Sequence, residues 1–259
     1  MDIPLQLWGL YLKLPVFALV AGRLGGLIAF QPVVGGLAVP ARVRALLTIG
    51  LAALITPLVP APDDLPANFS GLALGMAREV LLGAWLGLIV RICFVGLELA
   101  GTLVATEAGL AFGQLADPSS GTQQSVLGIF YAQVAVVIFL VIGGHRALFQ
   151  ATLNTFETIP LLSDGGRLVP GIELLPDSIS LAFAVAVRVA APVVITLFAA
   201  DVALGFVSRT VPQINVATVG FSVKTMVGMV LMAVSLPVTF DVFIDALEQT
   251  VGWVQQVLG

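Results

Sequence analysis

Six ionisable residues fall inside long apolar stretches: Arg91, Glu98, Glu107, Arg188, Asp201 and Lys224. Such groups are costly to place away from water, so each is a candidate for function or for a specific partner. Carboxylates at this depth could relay protons in a transporter. These ones are scattered over separate segments, without the repeat symmetry expected of alternating access, which ranks a small-solute carrier low. Asp201 and Asp241 could be imagined as an intramembrane aspartyl pair, but neither sits in a motif that would support such chemistry. Arg91 and Glu98 share a helix face, yet two turns of rise, roughly 10 Å, separate them, so each needs a partner elsewhere. With Arg209, these residues are best read as charge contacts between helices or between chains.

Other chemistries fare worse. There is no nucleophile elbow, since Gly220, Phe221 and Ser222 lack the following glycine, and no paired-histidine zinc motif. His145 is the single histidine and Cys93 the single cysteine, which reads as a small buried hydrophobe. Net charge is -4, which offers no basic field for nucleic acid. The expectation is a chain without catalytic residue, metal or cofactor.

The elements that carry these residues follow from composition. Hydrophobic residues make up 59% of the 259 and charged residues 10%, with a mean hydropathy of +1.08. A water-facing surface needs far more charge, so the solvent is lipid, protein or both. The chain reads as an all-α, polytopic membrane protein forming one helical domain over 1–259. A span needs roughly 20 apolar residues, and six regions qualify. They are Leu5 to Gly22, ended by Arg23; Ala45 to Pro60; Val80 to Ala116, as one tilted helix or a broken pair; Val126 to Gly143; Ile179 to Val207; and Val216 to Phe240. The polar stretch from Arg146 to Asp177 reads as a water-facing loop, and the last two regions as a helical hairpin. Pro192 and Pro237 predict kinks rather than ends, because neighbouring helices satisfy the freed carbonyls. The N-terminal run reads as a retained first helix, since Asp2 and Lys13 disrupt a signal pattern. Basic residues Arg23, Arg42, Arg44 and Arg209 assign their two connectors to the cytoplasm. Four GxxxG pairs, Gly22/Gly26, Gly71/Gly75, Gly83/Gly87 and Gly109/Gly113, predict close helix packing.

Several segments in order resemble the FliR/SctT family of the type III secretion export gate. They are Arg23 to Pro32, Val39 to Arg44, Gly101 through Gly109 and Phe112 to Asp117 and Pro118, Gly144 with His145, and Asn154 to Pro160. Leu204 with Gly205, Arg209 to Asn215, and Val219 to Phe221 complete the series. Two positions depart from the pattern: Ser222 replaces the usual proline, and Glu107 stands where a neutral polar residue is commoner. The resemblance implies long, kinked helical hairpins packed into a hetero-oligomeric export gate in the bacterial inner membrane, at the flagellar basal body rather than in a virulence injectisome. Implied partners are FliP/SctR-like, FliQ/SctS-like and FlhB/SctU-like subunits, the lipid membrane, and unfolded export substrates. It also implies a pore-plugging segment from about Glu107 to Ser120, carried by Glu107, Gly109, Phe112, Gly113, Asp117 and Pro118. The residue types suit that role, since glycines permit tight turns and Phe112 can fill a narrow bore. Asp117 and Pro118 equally fit a cap that opens the fourth span.

Overall fold

The computed structural model describes residues 5–35, 39–60, 62, 66, 68–110, 125–163, 172–210 and 216–258. Every regular element among them is helical. In chain order they are α1 (Leu5–Phe30), α2 (Ala41–Ile55) with a following 3-10 turn (Thr56–Leu58), α3 (Phe69–Glu107), α4 (Val126–Val141) and α5 (Gly144–Thr158). A 3-10 turn (Ile172–Leu174) then leads into α6 (Leu175–Thr210), and α7 (Val216–Leu258) is last. Among the described residues four stretches are long and apolar enough to cross a membrane: Ala41–Leu58, Phe69–Glu107, Ile172–Thr210 and Val219–Gln256. Taking α4 and α5 as one broken span, with 67° between them, makes a fifth.

The segment from 80 to 116 is the one whose sequence left two readings. Its described part is one unbroken helix, α3, which starts eleven residues earlier than the apolar scan placed it. Its 39 residues measure roughly 58 Å, well beyond a 30 Å hydrocarbon layer. Two expectations need correction. Arg23 does not end the first helix: α1 continues through it to Phe30, because the guanidinium is met by partners inside the fold. The stretch from Arg146 onward is not simply a loop, since α5 occupies Gly144–Thr158. That helix escapes a hydropathy scan because it is amphipathic: Leu148, Thr152, Thr155 and Phe156 are buried, and Gln150, Asn154 and Glu157 are exposed. Pro15, Pro192 and Pro237 all lie within helices that continue past them.

The chain divides into two compact units, with α3, α6 and α7 contributing to both. The first comprises Met1–Arg91, Gly143–Asp177 and Gln249–Gly259. Its apolar core joins Val16, Leu19, Val20 and Leu24 of α1 to Ala52 and Ile55 of α2 and Phe156 of α5. Within this unit α1 and α3 mesh through glycines from both sides. A methyl on Gly26 would strike the Val80 carbonyl, one on Gly83 the Arg23 carbonyl, and one on Gly87 the Leu27 carbonyl. Two of the four GxxxG pairs thus face each other, which lets the two backbones touch.

The second unit comprises Ile92–Ile142 and Ser178–Glu248. Phe94 sits at its centre, edge-on to Phe139 at 5.5 Å and to Phe243 at 5.2 Å between ring centroids. Such edge-to-face contacts join α3, α4 and α7 in one apolar core. Gly96 admits the backbone of Ala182 on α6, and Gly101 admits the Leu127 carbonyl on α4. Cys93 is buried, with its sulfur 4.0 Å from the Ala246 carbonyl.

Candidate functional site

In each unit a cluster of polar side chains ties a helix end to its neighbours. In the first unit, Arg23 is fully buried at the level where α1 passes α3 and α5. Its Nε donates to Glu79 Oε2 at 2.6 Å, one terminal nitrogen to the Thr155 carbonyl at 2.9 Å and the Thr155 hydroxyl at 3.1 Å, and the other to the Ile159 carbonyl at 3.0 Å. The guanidinium also lies 4.3 Å from the centre of the Phe156 ring. Only a planar fork of five donors can serve these acceptors at once, and only arginine supplies one. The Ile159 carbonyl lies at the end of α5, where helical partners run out. Arg23 therefore closes α5 while holding α1 to α3, and nearby the Arg78 guanidinium donates to the Ser163 carbonyl.

Neither Arg23 nor Glu79 stands among the candidate site residues that the sequence suggests. A lone arginine closing an apolar run reads as a helix end, and a third span that opens at Val80 excludes Glu79 by one residue. A usable signal was present: a lone arginine among Gly22, Gly25 and Gly26, with no acid within two turns, requires a distant carboxylate.

The second cluster lies at the end of α3. Gly109 has φ +80, the Leu110 amide donates to the Ala105 carbonyl, and the Gly109 amide donates to the Thr106 carbonyl. This is a Schellman ending, with the left-handed residue where glycine is favoured. The Ala108 carbonyl accepts the Thr225 hydroxyl of α7 at 3.2 Å, and Ala108 packs over Gly228. One residue before Thr225, Lys224 bonds Asp201 of α6 at 2.7 Å. The end of α3 is thus tied to α7, and α7 to α6, by short polar contacts.

The remaining candidate residues separate. Glu107 is half-buried in the last turn of α3, whereas Phe112, Gly113, Asp117 and Pro118 lie outside the described residues. The cap of α4 is Ser125, which accepts from the Gly128 amide at 2.8 Å. Arg91, Arg188 and Arg209 are exposed and Glu98 is half-buried. Asp201 and Lys224, sought separately as charges awaiting neighbours, are each other's neighbour. Among the described residues no group of three or more His, Cys, Asp or Glu is arranged to hold a metal ion.

Fold and clusters define a polytopic all-helical membrane protein whose buried polar groups join helices. A model of bacterial export proteins, family 1, matches residues 14–250. The flagellar biosynthetic protein FliR of Escherichia coli K12 is 30% identical over 92% of this chain and 89% of its own length. The FliR of Bacillus subtilis is 29% identical over 94% and 95%. Yop proteins translocation protein T of Yersinia pestis is 26% identical over 71% of each chain. The chain belongs to bacterial export protein family 1, the FliR/SctT family of type III secretion. The flagellar relatives match it more fully than the Yop translocation protein does, so it is a flagellar export protein of the membrane and not an enzyme.

Proposed function

We propose that this chain is the FliR-type subunit of the flagellar export gate in the bacterial inner membrane. It assembles with FliP-like and FliQ-like subunits into the pore through which unfolded proteins cross, with an FlhB-like subunit packed against it. The observation that carries this reading is the family match along nearly the whole chain, 14–250, rather than over one motif. The broad exposed apolar faces of α6 and α7 support it, because helices of a hetero-oligomer keep such faces for lipid and for neighbouring chains. The test is purification of the tagged full chain from its native host in mild detergent, with mass spectrometry of the intact assembly. FliP-like and FliQ-like chains in one large complex are expected. A homo-oligomer lacking them would overturn the reading and put a solute carrier ahead.

The segment from about Glu107 to Ser120 acts as the plug of the closed pore. Its support is the Schellman ending at Gly109, which turns the backbone sharply out of α3, and the tether of Ala108 to Thr225. Removing Gly109 to Gly113 makes cells leaky to small ions. Unchanged permeability with intact assembly would count against the plug.

A further inference from the structure

α6 turns one side inward, burying Ala182, Val185, Ala186, Val189, Val193 and Leu197. The opposite side leaves Val187, Ile195, Phe198 and Val202 exposed, with Arg188 among them. Crossing the hydrocarbon takes about 20 helical residues. The charges of α6 lie at Asp177, Arg188, Asp201 and Arg209, so every stretch of that length within Leu175–Thr210 includes Arg188 or Asp201. Asp201 has its counter-ion in Lys224 at 2.7 Å. Arg188 has none among the described residues, and the residues one turn away, Ala184, Val185, Ala191 and Pro192, offer no acid.

We infer that the outer face of α6 around Arg188 is a contact surface for an apolar helix of another polypeptide that presents a carboxylate beside Arg188. This rests on the export-gate reading for the presence of neighbouring chains, and on the charge of Arg188 for the chemistry of the one seated here. A guanidinium on an apolar face needs an anion, and membrane helices supply one from a facing helix. A lipid phosphate fits less well. The nearest charged residue toward the start of α6 is Asp177, eleven residues away or roughly 16 Å along the axis, too far for one side chain to span if the headgroups lie there. A second copy of this chain, related by a twofold axis through this face, would set arginine against arginine. Ala184 and Ala191, half-buried one turn to either side, leave room for a partner helix to approach.

The experiment uses the full chain in its native membrane, with the photo-crosslinking residue benzoylphenylalanine in place of Val187 or Ile195. Mapping by mass spectrometry is expected to find one membrane polypeptide, joined within two turns of an Asp or Glu in an apolar helix. Arg188→Glu then lowers recovery of that polypeptide roughly tenfold, Arg188→Lys retains it, and replacing its carboxylate by arginine restores recovery with Arg188→Glu. The restoration guards against a variant that merely fails to fold. Adducts with lipid alone, adducts with this same chain, or full recovery with Arg188→Glu would overturn the proposal. FliP-like and FliQ-like chains co-purifying without any α6 adduct would reject this surface and leave the gate reading standing. An unrelated acidic helix that passes the charge exchange would reject the gate reading and keep the surface.

Discussion

Arg23 and Glu79 meet in a 2.6 Å ion pair sealed from solvent, although fifty-six residues separate them in the chain. Removing one member of a buried pair strands the other charge, a loss of about 3–5 kcal/mol. Glu79→Gln is expected to lower stability by that order, and Arg23→Lys by less, since lysine keeps a charge beside Glu79 but cannot also reach Thr155 and Ile159. The double change Arg23→Met with Glu79→Leu removes the stranded charge but leaves the Thr155 and Ile159 carbonyls without their donor, so it recovers only part of the loss. The single cysteine, Cys93, is fully buried, and a thiol-reactive dye follows unfolding in detergent. A melting temperature unchanged by Glu79→Gln would refute the role assigned to the pair.

Gly83 and Gly50 make a paired test of glycine meshing. A methyl at Gly83 strikes the Arg23 carbonyl and comes within 2.9 Å of the Leu27 amide nitrogen, and both atoms are backbone that cannot swing aside. Gly50 is also helical but has nothing within 4 Å. Gly83→Ala should therefore destabilise by about 1–3 kcal/mol, as overpacking does. Gly50→Ala should stabilise by roughly 0.5–1 kcal/mol through helix propensity. The same dye melt reads both, and equal shifts for the two variants would contradict the meshed α1–α3 contact.

How far these features were legible beforehand follows from what each depends on. The glycines of the α1–α3 crossing were visible because GxxxG is a local spacing, although nothing local said that Gly22 and Gly26 would meet the stretch holding Gly83 and Gly87. The helical membrane class follows from composition alone. A charge in an apolar run looks like a boundary unless its partner is known, and Glu79, the partner of Arg23, is 56 residues away. α5 is missed by a scan for apolar length, which ignores periodicity, although Leu148, Thr152, Thr155 and Phe156 recur at helical spacing on one side. Once folded, Arg23 and the run from Asn154 to Pro160, two separate segments of the family resemblance, prove to be one cluster.

Gly109 tests the ending of α3. At φ +80 an alanine carries the left-handed penalty of about 1–2 kcal/mol, whereas asparagine tolerates that region better. Gly109→Ala should lower the melting temperature more than Gly109→Asn does. Thr225→Val, which removes the donor to the Ala108 carbonyl, should cost about 1 kcal/mol. If the ending and its tether act together, the combined Gly109→Ala and Thr225→Val variant loses less than the sum, because a displaced carbonyl no longer has a bond to forfeit. Strict additivity would mean that the two contacts are independent.

Lys224 and Asp201 form a second ion pair, and its strength is limited by exposure. The aspartate side chain keeps 44% of its accessible surface and the lysine 16%, so water and salt reach the pair in detergent. Exposed pairs couple by about 0.2–1 kcal/mol, and long side chains lose rotamer freedom in making them. A double-mutant cycle with Lys224→Met and Asp201→Asn should give a coupling within that range in detergent at moderate salt, falling further as salt is added. The same cycle in native membranes reads whether neighbouring chains or lipid cover the pair. With water excluded, Lys224→Met strands an aspartate on an apolar helix, and the loss grows several-fold beyond the detergent value. A coupling as small in membranes as in detergent would mean that this end of α6 and α7 stays open to water in the assembled protein.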